Sequence, residues 1–273
     1  MFKSITTFLP LVIFLFVTVP HSHAQSVSKI DSKIAALLNK VNYWAEYDYI
    51  ESKDDSLADA NNKLDSFLRK VSASLPVSTK FPFAEQNGLD LAIAADNKIK
   101  VYSWDSRLGG SMRRYNSLAA YQTRNGIKTE EFLDLSDSIA SSGHMIYSEG
   151  GYYFDEMVPI KANDHTTTYL LIGSSVESTS ERGMIVIALR IVNNELIQIP
   201  FFKTSTQNLK IISYSYNSVS GSIQGETPVM HLSKDHKQFF IPIVSGLYNE
   251  QITNKYLVYT FDGSNFIYEK NVR

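Results

Sequence analysis

The chain has 273 residues, with 26 Lys and Arg against 28 Asp and Glu, and no cysteine. That balance excludes the basic footprint of a nucleic-acid binder. The missing thiols exclude disulfides, thiol chemistry and a lipid-modified cysteine, and a chain of this length can bury a large enough core to be stable without crosslinks.

The first element is MFKSITTFLPLVIFLFVTVPHSHAQ: a cation at Lys3, an apolar run from Ile5 to Val19, the breaker Pro20, and small residues ending at Ala24. This is the pattern of a secretory signal peptide, and the run falls short of the roughly 20 residues that span a bilayer. Residues 1–24 are therefore expected to be removed near Ala24, leaving a periplasmic or secreted chain that begins at Gln25 with 25 bases against 28 acids. No later apolar run is long enough to cross a membrane.

Residues 25–75 read as a helical hairpin. Val27, Ile30, Ile34, Leu37, Leu38 and Val41 follow helical spacing. A second stripe runs through Leu57, Asn61, Leu64, Phe67, Leu68 and Val71, with Ser56 and Asp59 placed as a capping box. Pro76 ends it, and Pro82 and the polar stretch to Gly88 form a linker.

From Leu89 to the C-terminus the period becomes two. Five segments read as hairpins, turning at Asp96-Asn97, Gly150-Gly151, Asn193-Asn194, Lys234-Asp235 and Asp262-Gly263. TTYLLIGSS and LKIISYSY add further strands. The runs 184–192 and 196–202 are apolar nearly throughout and are expected to be covered on both faces at the centre of the fold. The expected architecture is α+β: the helical hairpin packed on an antiparallel β-meander over 89–273, as a sandwich, open barrel or partial propeller. The hairpin spacings hold no fixed period.

The chemistry-bearing stretch is Tyr102 to Lys128, which places Arg107, Arg113, Arg114, Arg124 and Lys128 in a window without a carboxylate between Asp105 and Glu130. Asp105 opens a loop that Gly109 and Gly110 allow to reverse tightly, and such a loop can present backbone N–H groups and guanidinium forks to an anion. Trp104 and Tyr115 flank it. If a strand starts near Met112, Arg113 and Arg114 face opposite ways, so one of them at most joins Arg107. The expected contact surface is Trp104, Asp105, Arg107, Gly109, Gly110, Arg113 and Tyr115. Arginines paired to Glu130, Glu131 or Asp134 across an ordinary turn are the plainer reading.

Outside the leader, four histidines remain. His231 and His236 bracket a turn at i, i+5, which is no recognised ligand spacing. His144 or His165 with Asp155 or Glu156 would form an acid–base pair only if the fold joined them. No nucleophile elbow, phosphate loop or dinucleotide fingerprint is present. Sixteen tyrosines sit largely on strands, where Tyr214 and Tyr216 share one face opposite Ser213 and Ser215. The expectation is an exported binding module without cofactor or metal, whose partner is an anionic glycan, a peptide or an envelope protein, with an envelope hydrolase as the alternative.

Overall fold

The computed structural model describes residues 21–46, 53–131, 151–219, 229–245 and 251–269. Helix α1 spans His21–Glu46 and α2 spans Lys53–Ser74. The apolar stripe of α1 is buried at Ile34, Leu37, Leu38 and Val41. Helix α2 begins three residues before Ser56, so the expected capping box is replaced by Asp54 and Asp55 in the first turn, where carboxylates suit the positive end of the helix dipole. It stops at Ser74 because the residue before a proline is disfavoured in helical geometry. The linker holds a single helical turn, α3 (Pro82–Glu85), with proline at its start. Buried Asp31 of α1 receives the Phe83 and Ala84 N–H groups at 3.0 and 2.8 Å, supplying from a distance the acceptors that α3 lacks locally.

The strands form three sheets. The first is a meander of β1 (Leu89–Ile93), β2 (Ile99–Asp105), β3 (Tyr115–Thr123) and β4 (Gly126–Glu131). The second contains β5 (Tyr153–Lys161), β6 (Thr167–Val176) and β7 (Glu181–Val192), with β8 (Glu195–Gln198) and β11 (Ile211–Asn217) both bonded to β7. The third is a six-stranded half-barrel of β9 (Phe202–Lys203), β10 (Asn208–Leu209), β12 (His231–Leu232), β13 (Gln238–Ser245), β14 (Gln251–Phe261) and β15 (Phe266–Glu269). All pairings described are antiparallel except β9 with β15.

The sheets are stacked, and the middle one is apolar on both sides. Ile185, Ile187, Leu171 and Phe154 face Val101, Ala119 and Tyr121 of the first sheet. On the opposite face, Val186, Leu170 and Ile172 meet Phe202, Phe239, Tyr259 and Phe266 of the half-barrel. The remaining face of the first sheet gives Tyr102, Trp104, Leu118 and Ala120 to a cluster shared with Ile34, Leu37, Leu64 and Leu68 of the helices. Strand β7 is therefore the centre expected from its unbroken apolar run.

Several expectations change. The run 196–202 is only partly interior: Phe201 and Phe202 are buried, but β8 is an edge with Ile197 exposed. A hairpin about Gly150-Gly151 places its first strand outside the described residues, and β5 takes its hydrogen bonds from β6. That β5–β6 hairpin turns at His165, which adopts φ 67°, with Asp164 capping the turn through Thr166. The β3–β4 hairpin, turning on Arg124-Asn125 with Gly126 at φ 114° opening β4, was not expected inside the cationic window. The hairpins at Asn97, Asn193-Asn194, His236 and Gly263 turn through left-handed backbone, as their residue types permit.

Candidate functional site

The loop from Ser106 to Arg114 is built by local chemistry and then tied to three elements. Asp105 ends β2, and its Oδ1 accepts the Arg107 N–H at 2.8 Å, a turn that sets Arg107 at φ 63°. Both the Ser106 N–H and its hydroxyl donate to the Arg114 carbonyl at 2.7 Å, closing the loop base. The Arg113 N–H donates to the Val176 carbonyl at the end of β6. From α2, the Asn61 side-chain amide donates to the Ser106 carbonyl at 3.0 Å and accepts the Trp104 indole N–H at 2.9 Å.

Two adjoining cavities of about 460 and 410 Å³ share Asn42, Asp105, Arg107, Arg113 and Val176. The larger adds Glu46 from α1, both loop glycines and Arg182. The smaller adds Asp90, Tyr115 and Tyr153. Arg107 Nε donates to Asn42 Oδ1 at 3.1 Å, which orients one guanidinium from α1. Asp105 lies 3.6 Å from Arg107 and 3.7 Å from Arg113, charge contacts beyond hydrogen-bond length. Both guanidiniums are exposed and so keep donors for a bidentate acceptor. The Tyr115 and Tyr153 rings lie 5.1 Å apart and tilted, forming an aromatic wall.

Electrostatics differ between the two cavities. In the smaller, Asp90 is pushed up to about 6, chiefly by burial and then by Asp155 and Glu85. Burial also raises the Tyr115 phenol to about 12 against the opposing pull of Arg113, so it stays protonated and able to donate at neutral pH. Among the described residues, the larger cavity is lined by three arginines and two carboxylates. The arrangement can hold a carboxylate on its arginines and an apolar ring face on its tyrosines.

Among the residues expected at this surface, Asp105, Arg107, Gly109, Gly110, Arg113 and Tyr115 line the cavities. Trp104 does not: it is 1% exposed, packs among the helix residues and spends its only donor on Asn61. The reason is pleat alternation, which sends Trp104 and Asp105 to opposite faces of β2. Strand β3 begins only at Tyr115, so Arg113 and Arg114 both lie in the loop before it, and Arg113 lines the cavities while Arg114 does not. The arginines' nearest acid is Asp105; Glu130 instead takes the Tyr121 hydroxyl and Lys128, and Asp134 lies outside the described residues.

Asn42, Asp90, Tyr153 and Arg182 were missed because each is distant in sequence from the loop. Asn61 did leave a signal: an amide at an apolar-stripe position asks for buried partners.

Among the described residues, the expected acid–base pairs with His165 are not assembled. His144 lies outside the described residues. Asp155 sits near the start of β5 and His165 beyond its end, about 20 Å of strand away at roughly 3.3 Å per residue. His231 stacks on Phe240 at 4.9 Å. Among the described residues, no group of three or more His, Asp or Glu is placed to hold a metal ion, and no helix is long and apolar enough to cross a membrane. Comparison with protein-family models, with curated proteins and with solved structures finds no match.

Proposed function

We propose that the chain is an exported binding protein whose double cavity beside the Arg107 loop takes an acidic ligand, either a carboxylate-bearing glycan or an acidic peptide. The single observation that carries this reading is the convergence of Arg107 and Arg113, both exposed, with the Tyr115–Tyr153 pair on one depression. Guanidinium forks recognise carboxylates in a plane, and tilted tyrosines offer a face for a sugar ring or side chain. The leader supports export to the periplasm or beyond. Removal of residues up to Ala24 would leave the buried stripe of α1 in place, since that stripe starts at Asp31. We further read the two helices and the first sheet as one unit, a hairpin on a sheet, from the cluster they share.

Titration calorimetry with a uronic-acid oligosaccharide and with a glutamate-rich peptide tests the site. One of the two is expected to bind, with Arg107→Ala and Arg113→Ala each weakening it about tenfold, the scale of one lost charge-assisted bond. Binding unchanged in the double variant overturns the assignment.

A further inference from the structure

Among the described residues, the core between the middle sheet and the half-barrel does not close. Leu209, Ile212, Tyr214, Leu257 and Tyr268 pack against its buried cluster but are only partly buried themselves. All five line a cleft of about 710 Å³, which runs between β11 and the Ile241–Val244 part of β13. Two features keep it open. Strand β12 bonds to β13 only at Phe239 and Phe240, so its cover ends before the cleft. Pro242 then brings no N–H, and the register shifts between Pro242 and Val244.

The chemistry of the walls selects the occupant. No described residue of the lining is Asp, Glu, Lys, Arg or His; their polar side chains are hydroxyls and one amide. A phosphate, sulfate or ammonium buried there would lose water without gaining a counter-charge. A hydrocarbon chain would complete an unfinished apolar core, and the volume lies inside the roughly 300–1,000 Å³ of small-molecule sites. The exposed turn Ser205–Gln207 stands at the rim, where a polar head can reach hydroxyl and amide partners.

We propose that this cleft binds a single acyl chain, with its polar head held at the Ser205–Gln207 rim. The site is separate from the arginine cavities: the two linings share no residue.

The test uses the purified chain, free palmitic acid, and vesicles of dipalmitoyl phosphatidylglycerol, with occupancy read by native mass spectrometry and affinity by displacement of a fluorescent acyl probe. Ile243→Lys places a cation in the wall, and Ile243→Trp fills the space without adding charge. Ile243 belongs to no buried cluster, and circular dichroism checks that each variant is folded. A saturable one-to-one complex weakened at least tenfold by both substitutions is expected. Loading from vesicles alone identifies a membrane lipid as the source, and loading from free palmitate identifies a fatty acid. Absence of saturable binding from either source, affinity unchanged in folded variants, or a dimer that blocks the probe overturns the proposal.

Discussion

Lys100 shows how far a side chain can depart from its type. It is 1% exposed, its ammonium donates to the Thr79 carbonyl, and it lies 5.2 Å from the centroids of both Phe81 and Tyr102. Those rings and Glu85 favour the cation, but loss of water outweighs them and brings the group down to about 7. The sign follows from proton counting. Between pH 7 and 10.5 the unfolded chain keeps a proton that the native chain has released, so this residue makes stability rise with pH across that window. Below pH 7 its full cost is present. Urea unfolding from pH 6 to 10 should show a rise, relative to Lys100→Met, of roughly 2 to 4 kcal/mol; parallel curves for the two proteins would refute it. Nothing in LAIAADNKIKVYSW marks Lys100 as interior, because burial of a cation depends on rings and a carbonyl supplied from elsewhere. The same holds for Trp104, whose type suggested a contact surface and whose strand face placed it inside.

At the scale of the element, the Arg107 loop holds its shape through backbone constraint. A β-carbon on Gly109 would sit 1.9 Å from the Met112 carbonyl oxygen, so that position tolerates no side chain without the turn moving. Gly110 has open space around it but φ +62°, which charges an L-residue only for left-handed backbone. Gly109→Ala should therefore destabilise by about 1 to 3 kcal/mol and weaken acidic-ligand binding along with Arg113 placement. Gly110→Ala should cost roughly 1 to 2 kcal/mol, the cost of left-handed backbone alone, and leave binding near normal. Thermal melts and calorimetry on the two variants separate these outcomes, and equal effects would remove the backbone account of the loop. The pair of glycines was visible as a turn signal. Which of them is sterically required was not, since that depends on a carbonyl three residues on folding back over it.

For the whole molecule, the consequence of stacking is a sheet with two cores. Leu170 and Leu171 are neighbours in β6, both fully buried, yet Leu171 belongs to the core against the first sheet and Leu170 to the core against the half-barrel. Each Leu→Ala change should cost about 2 to 5 kcal/mol, whereas in a sheet with one wet face one of the two would cost little. Denaturant midpoints for the pair decide this directly; a loss below 1 kcal/mol at either position would mean that one face is not a core layer.

What the sequence alone determined was local and periodic: the two helical stripes, the change from a period of 3.6 to one of 2, the turns at Asn97, Asn193-Asn194 and Gly263, and the central place of β7. These are legible because backbone preference and alternation act over a few neighbours. Tertiary structure decided which strands share a sheet, that Asn42 and Arg182 join Arg107 across more than sixty residues, and that described residues of two sheets line a cleft beside Pro242. Those outcomes depend on long-range packing, where any apolar strand can cover another and only the summed fit of three layers selects the arrangement.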